Sequence, residues 1–225
     1  MRKIISVIMT LVLIMTLVLI LPICKVNAAQ SETEQKKLVA LTFDDGPHKA
    51  HTRKILNTLE SHGVAATFFI VGENAERYPE LVKEIALKGH EIGNHTYSHP
   101  KMTGISYDEL KGELEKNDEI IFSITGIRTT LFRPPCGRIS ESVSSVAEDG
   151  KYKLVLWDID TRDWEHTSKD KIVATVTENV KSGSVILMHD FIGGETHTPE
   201  ALEEIIENLR AKGYEFVTVS ELGGT

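Results

Sequence analysis

Two carboxylates in tandem, Asp44-Asp45, lead into Gly46-Pro47, and two histidines, His95 and His99, stand four residues apart. Asp45 with His95 and His99 makes a one-oxygen, two-nitrogen donor set, the composition with which hydrolytic zinc sites keep a position open for water and substrate. The i,i+4 spacing would let both imidazoles point the same way on a helical turn. By donor type zinc is expected, with cobalt, nickel or manganese as alternatives. Asp44 cannot reach the same ion while both carboxylates stay in an extended strand end, where successive side chains point to opposite sides, so it is free to act as a base. Asn94, Thr96 and Ser98 are candidate outer partners of the ligands. The competing readings are ordinary ones: a tight turn for Asp44-Asp45-Gly46-Pro47, and solvated surface residues for the histidine pair.

Three further segments carry residues of the same kind: Arg133-Pro134-Pro135-Cys136-Gly137, Asp160-Thr161-Arg162-Asp163-Trp164 and Leu187-Met188-His189-Asp190. With them the chain holds the parts of a metal-assisted hydrolysis, namely ligands, a base and an acid. No segment is persuasive alone; their occurrence together and in order is.

Something must bring these segments to one place. Short β-branched apolar runs at 38–43, 65–71, 91–93, 131–132, 153–157, 184–188 and 215–218 predict seven strands, and helical periodicity falls near 50–62, 76–88, 106–124, 140–149, 168–181 and 199–212. Strand–helix alternation predicts a parallel sheet. Each motif lies at or just past the C-terminal end of a strand, where α/β barrels and open sheets place their sites. Seven strands predict an α/β fold of distorted (β/α)7 type, related to TIM barrels, with a doubly wound open sheet as the alternative.

The N-terminus opens on Arg2 and Lys3, followed by an apolar stretch over residues 4–23. Such a segment addresses the chain to a membrane. Val26-Asn27-Ala28 fits a small-x-small cleavage site, so residues 1–28 are read as a signal peptide, with an uncleaved anchor as the alternative, because the stretch is long enough to span a bilayer. Residues 29–37 read as a short polar linker and 38–225 as one domain. The expected location is secreted or in the cell wall, with membrane association only through the N-terminal segment. Loss of Arg2, Lys3 and Lys25 takes the formal charge from −8 to −11. So acidic a domain speaks against nucleic acid as a partner and suits a neutral or cationic polymer. Cys136 is then the sole cysteine, so no intramolecular disulfide can form and the fold rests on its core. A monomer is expected.

On these five segments the chain resembles the polysaccharide deacetylase family, carbohydrate esterase family four, whose domain is shared with rhizobial chitooligosaccharide deacetylases. The resemblance spans residues 38–222. It implies a distorted barrel and metal-dependent removal of acetyl groups from N- or O-acetylated sugars. Carried over residue by residue, it implies that Asp45, His95 and His99 hold the metal, Asp44 is the base and His189 the acid. It further implies that Arg133 orients Asp44 and Asp163 orients His189, while Trp164, Leu187 and Pro135 meet the substrate. The chain departs from the family at Cys136, where a tyrosine is usual. The family uses the backbone N–H there as an oxyanion donor, a role that survives a change of side chain; the groove wall is what changes. Relatives acting on muramic acid in spore peptidoglycan often carry Asn in place of Asp45, which points away from that substrate. The resemblance therefore implies N-acetylglucosamine residues of peptidoglycan or chitin-type oligosaccharides as substrate. An acetylxylan esterase is the alternative, and a catalytically silent wall-binding protein a more distant one.

Overall fold

The computed structural model describes residues 36–194 and 196–223; the N-terminal segment 1–28 and all but the last two residues of the linker lie outside them. Among the described residues no helix is long and apolar enough to cross a membrane.

Among the described residues eight strands, all parallel, form the sheet: β1 (Lys37–Asp44), β2 (Thr67–Ile70), β3 (Glu91–Asn94), β4 (Leu131–Phe132), β5 (Lys153–Leu154), β6 (Ile159–Asp160), β7 (Ser184–His189) and β8 (Tyr214–Phe216). The spatial order is β5-β4-β3-β2-β1-β7-β6, with β8 paired to the start of β1. Seven strands thus make the barrel path, but not the seven expected. The two-residue β6 enters it, because Ile159 and Asp160 pair with Ile186 and Leu187, and β8 is an appendage. No pairing joins β5 to β6 among the described residues, so the barrel is open there.

The helices are α1 (His51–His62), α2 (Gly72–Arg77), α3 (Pro79–Leu87), α4 (Tyr107–Thr125), α5 (Glu141–Asp149), α6 (Lys169–Asn179) and α7 (Thr198–Ala211). The expected helix 76–88 is two helices. Pro79 disfavours the helical region for Tyr78, which sits at φ −134°, ψ 57° and separates α2 from α3. Helix α4 starts on a full capping box, with Ser106 and Glu109 each bonding the other's backbone N–H.

Strand parity sorts the side chains. On β1, Val39, Leu41 and Phe43 join the main core with Ile55, Leu56, Leu59, Ile205 and Leu209 of the helices. Ala40 belongs to a second cluster with Phe69, Leu131, Val155 and Val185. Ala40, Thr42 and Asp44 therefore face the inside of the barrel, and the β7 residues Val185, Leu187 and His189 do the same. The register pairs Thr42 with Leu187 and Asp44 with His189, so two reactive side chains meet at the barrel mouth by parity alone.

Candidate active site

A cavity of about 360 Å³ opens at the C-terminal rim, lined by Asp44, Asp45, His95, His99, Cys136, Trp157, Asp160, Trp164, Leu187 and His189. Eight of the expected site residues are in it. Arg133 and Asp163 stand behind the lining, both fully buried, each in contact with a residue that faces the cavity. Pro135 is also buried and does not line the cavity; the next residue, Cys136, left-handed at φ 55°, does.

Strand β1 ends at Asp44, and Asp45 adopts φ 72°, which separates the two carboxylates. Asp45 Oδ1 lies 3.2 Å from His95 Nε2 and 3.4 Å from His99 Nε2. His95 Nδ1 lies 2.6 Å from the Arg133 carbonyl, a partner that can only accept, so Nδ1 carries the proton and neutral His95 offers a lone pair at Nε2. Asp45 Oδ1 is buried without a hydrogen-bond partner. With His95 neutral, electron-pair donors converge on one point, which is what a divalent cation would satisfy. Without an ion the same point draws a proton to His95 Nε2 instead. Burial works against its positive charge, yet Asp44, Asp45 and the Arg133 carbonyl together raise its pKa above the ordinary value, so the site calls for positive charge. The donor set fits zinc or a similar ion.

The histidines do not share a helical turn. Residues 95–99 form an irregular loop with Thr96 and His99 at positive φ, and it is pinned from a distance. The Glu113 carboxylate on α4 accepts the N–H groups of Tyr97 and Ser98 at 2.9 and 2.7 Å, and the Ser98 hydroxyl at 2.9 Å. Asn94 Oδ1 accepts the Thr96 N–H. Asn94 and Ser98 therefore shape the loop and touch neither ligand nitrogen.

The base side is built in the barrel interior. Arg133, just after β4, donates from Nη1 to Asp44 Oδ1 at 2.7 Å and to Thr42 Oγ1 at 2.8 Å. Its Nε and Nη2 reach the carbonyls of Val155 and Leu156, and its guanidinium stacks 4.0 Å from the Phe69 ring. Asp44 is thereby held with Oδ2 toward the metal triad, 3.8 Å from His95 Nε2.

The acid side is built on a loop. Asp163 opens a short 3-10 turn (Asp163–Glu165) after β6. Its Oδ1 lies 2.7 Å from His189 Nδ1 and accepts the Trp164 N–H, while Oδ2 accepts the His189 N–H and the Thr198 hydroxyl. Burial pulls the His189 pKa down, but the hydrogen bond and charge of Asp163, helped by Asp44 and Asp45, push it up to about 9. His189 is a cation at neutral pH with Nε2 available.

Sequence reasoning left Trp157 in a strand and missed Thr42 and Thr198. Trp157 packs against Gly137, where a Cβ would come to 2.6 Å of the ring, and it stands 5.6 Å from the Arg133 guanidinium. Its place at the end of a predicted strand, just before Asp158, was the available signal. Asp190 is buried under Gly46 and accepts the Thr52 hydroxyl at 2.5 Å.

The Polysaccharide deacetylase family model matches residues 31–155, and the chain belongs to that family. The Bacillus cereus "Peptidoglycan-N-acetylglucosamine deacetylase" is 45% identical over 199 residues, covering 88% of this chain and 72% of that protein. "Peptidoglycan-N-acetylmuramic acid deacetylase PdaC" of Bacillus subtilis is 40% identical over 83% of this chain and 39% of its own length. Among solved structures, a family 4 acetyl xylan esterase from Clostridium thermocellum in complex with a cobalt ion is 35% identical, with a TM-score of 0.78 over 83% of this chain and 90% of that one. A CE4 family pseudoenzyme from Bacillus anthracis is 32% identical, with a TM-score of 0.78 over 84% and 66%.

Proposed function

We propose that this chain is a metal-dependent deacetylase that removes acetyl groups from N-acetylglucosamine residues of an extracellular polysaccharide, peptidoglycan first and chitin-type oligosaccharides second. One observation carries the reading: a fixed carboxylate, Asp44, and a cationic imidazole, His189, sit opposite each other in strand register beside an Asp–His–His donor set in one cavity.

When bound by Asp45, His95 and His99, a divalent cation supplies Lewis acidity that polarises the acetyl carbonyl and acidifies a nearby water. Asp44, locked by Arg133, takes the proton from that water as its oxygen bonds to the acetyl carbon. The Cys136 N–H, which has no backbone acceptor among the described residues, donates to the oxygen on which negative charge develops. His189 then gives its proton to the sugar nitrogen as the carbon–nitrogen bond breaks, and acetate and a free amine leave. Leu187 and Trp157 supply apolar wall for the acetyl methyl. Trp164, 46% exposed at the rim, offers a face to a sugar ring.

The same machinery would cleave an ester, and the likeness to an acetyl xylan esterase favours that second reading. The existence of a pseudoenzyme with this fold shows that family membership alone does not make a catalyst. Here the ligand set, the base and the acid are all present and line one cavity, which supports activity. The protein would act outside the cell, secreted after cleavage near residue 28 or held by the uncleaved segment, as a monomer.

The test is acetate release from N-acetylglucosamine hexamer, peptidoglycan and acetylxylan by metal-stripped protein, with and without added zinc or cobalt, alongside Asp45→Ala. Metal-restored release from the amide substrates that is lost in Asp45→Ala is expected. Release from acetylxylan alone would move the assignment to the esterase, and release from none would support the silent reading.

A further inference from the structure

A second cavity, of about 310 Å³, lies on the other side of the metal triad and shares Asp45 and His99 with the first. Asn74 and Arg77 on α2 and Phe191 and Ile192 after β7 form much of its wall. The two cavities meet at the residues that would hold the metal, so a polymer with one sugar in the first would lay a neighbouring sugar or its substituent in the second.

The second cavity contains a cation that the fold does not use. Among the described arginines, Arg53, Arg128, Arg133, Arg162 and Arg210 each hold a carboxylate or a carbonyl, whereas exposed Arg77 and Arg138 hold neither, and of those two only Arg77 lines this cavity. Among the described residues the exposed Arg77 side chain has neither a hydrogen-bond nor an ion-pair partner, although Glu73 lies one turn away on the same short helix and lines the same space. Helix α2 is fixed in place. The Asn74 amide donates to the Asp45 carbonyl at 2.7 Å, and the N–H groups of Gly72 and Glu73 bond the carbonyls of Thr96 and Tyr97. Arg77 is therefore carried on a helix tied to both ligand loops, which sets its position relative to the reacting sugar. The apolar side of the cavity, Phe191 and Ile192, is braced by Phe191 stacking on His48 at 5.2 Å.

Resting on the deacetylase reading above, we propose that Arg77 recognises a carboxylate on a substituent of the sugar next to the one deacetylated, so that the preferred substrate is an anionic glycan and not a neutral one. A guanidinium fork matches a planar carboxylate in two parallel hydrogen bonds, and at an exposed site it gives up little hydration to do so. In a chain with a formal charge of −8, an anionic polymer would otherwise be repelled; a single unengaged cation beside the triad gives it one place to dock. Two sources supply that carboxylate in peptidoglycan, the lactyl ether of the muramyl sugar and the peptide attached to it.

The experiment compares metal-loaded wild type, Arg77→Ala and Arg77→Lys on three substrates: neutral N-acetylglucosamine hexamer, peptide-free glycan strands with free lactyl carboxylates, and intact peptidoglycan fragments. For Arg77→Ala, KM is expected to rise about tenfold on one or both anionic substrates with kcat within twofold, and to stay within twofold on the hexamer. Arg77→Lys should recover part of the loss, and 0.5 M salt should weaken wild type on the anionic substrates in the same way. Which anionic substrate responds tells the lactyl group from the peptide. An equal loss on the neutral hexamer, or no loss on any substrate, would overturn the proposal. Absence of acetate release by wild type from all three would instead count against the deacetylase reading; binding of the peptide-free strands, followed by Trp fluorescence, would then still decide whether Arg77 holds them.

Discussion

The two buried ion pairs of the site, Arg133–Asp44 and Asp163–His189, are equally short at 2.7 Å and are organised in opposite ways. In the first, the reactive group is an anion and the cation is fixed; in the second, the reactive group is a cation and the anion is fixed. Arg133 belongs to the barrel interior, anchored to β1 through Thr42 and Asp44 and to the chain after β5 through two carbonyls. Asp163 belongs to a loop and is anchored mostly by N–H groups and a hydroxyl that would be there with or without it. Removing Arg133 leaves a buried carboxylate and two carbonyls without partners, whereas Asp163→Asn keeps one acceptor oxygen for two of its four donors and strands no charge of its own. The base side should therefore couple activity to stability, and the acid side should separate them.

The largest expected effect is on the base side. Arg133→Met should cost about 3–5 kcal/mol of stability, because breaking a buried pair strands the remaining charge. Urea unfolding of the metal-free protein reads this directly, and acetate release should fall by at least about a hundredfold at the same time. Arg133→Met with Asp44→Asn should recover much of the stability and none of the activity. If Arg133→Met cost under about 1 kcal/mol, the coupling claimed for the base side would be wrong.

On the acid side, Asp163→Asn should lower kcat by about a hundredfold or more with a stability loss of only about 1–2 kcal/mol. The pH dependence identifies the mechanism. His189 has a pKa of about 9, so wild-type activity should persist through neutrality and fall as pH rises past that value. The shift is upward, so His189 contributes stability in full below its ordinary pKa near 6.5, and that contribution is lost as pH rises from there through about 9. Asp163→Asn removes the principal cause, so the alkaline limb of kcat should move down and the decline in stability over that window should flatten. A mutant whose limb stays near 9 would show that Asp163 does not set the charge of His189.

Much of this arrangement was legible in the sequence because it follows from short-range rules. Parity along β1 and β7 puts Asp44 and His189 on one face, and motifs at strand ends converge because the strands are parallel. What was not legible came from contacts distant in sequence. Strand β6 is two residues long and exists because Ile159 and Asp160 find β7; no periodicity can show in two residues. The loop geometry of His95 and His99 depends on Glu113, which in the sequence is one more polar residue on an amphipathic helix. Thr198 reads as the start of a helix, and only the fold brings its hydroxyl to Asp163. The split of α2 from α3 is different: Pro79 was visible, and the rule for the residue before proline would have given it.

A pair of threonines offers the finest test of the contrast between the two sides. Thr42 donates its hydroxyl proton to the Ile186 carbonyl and accepts from Arg133, so it helps aim a guanidinium that has other partners. Thr198 donates to Asp163 Oδ2, an oxygen shared with only the His189 N–H. Thr42→Val should cost about 1 kcal/mol of stability, because the Ile186 carbonyl keeps its place in the sheet while Arg133 loses a neutral acceptor, and kcat should change by less than about threefold. Thr198→Val should cost a similar stability but lower kcat by about threefold to tenfold, because Asp163 Oδ2 loses a hydrogen bond to its charged form, and the carboxylate can then tilt away from His189 Nδ1. The pH limb separates the two cases again. Thr198→Val alters the carboxylate that raises His189 and should displace the limb, while Thr42→Val leaves that carboxylate untouched and should leave the limb where it is. If both variants moved the limb equally, the two ion pairs would have to be treated as one electrostatic unit, joined across the register of Asp44 with His189.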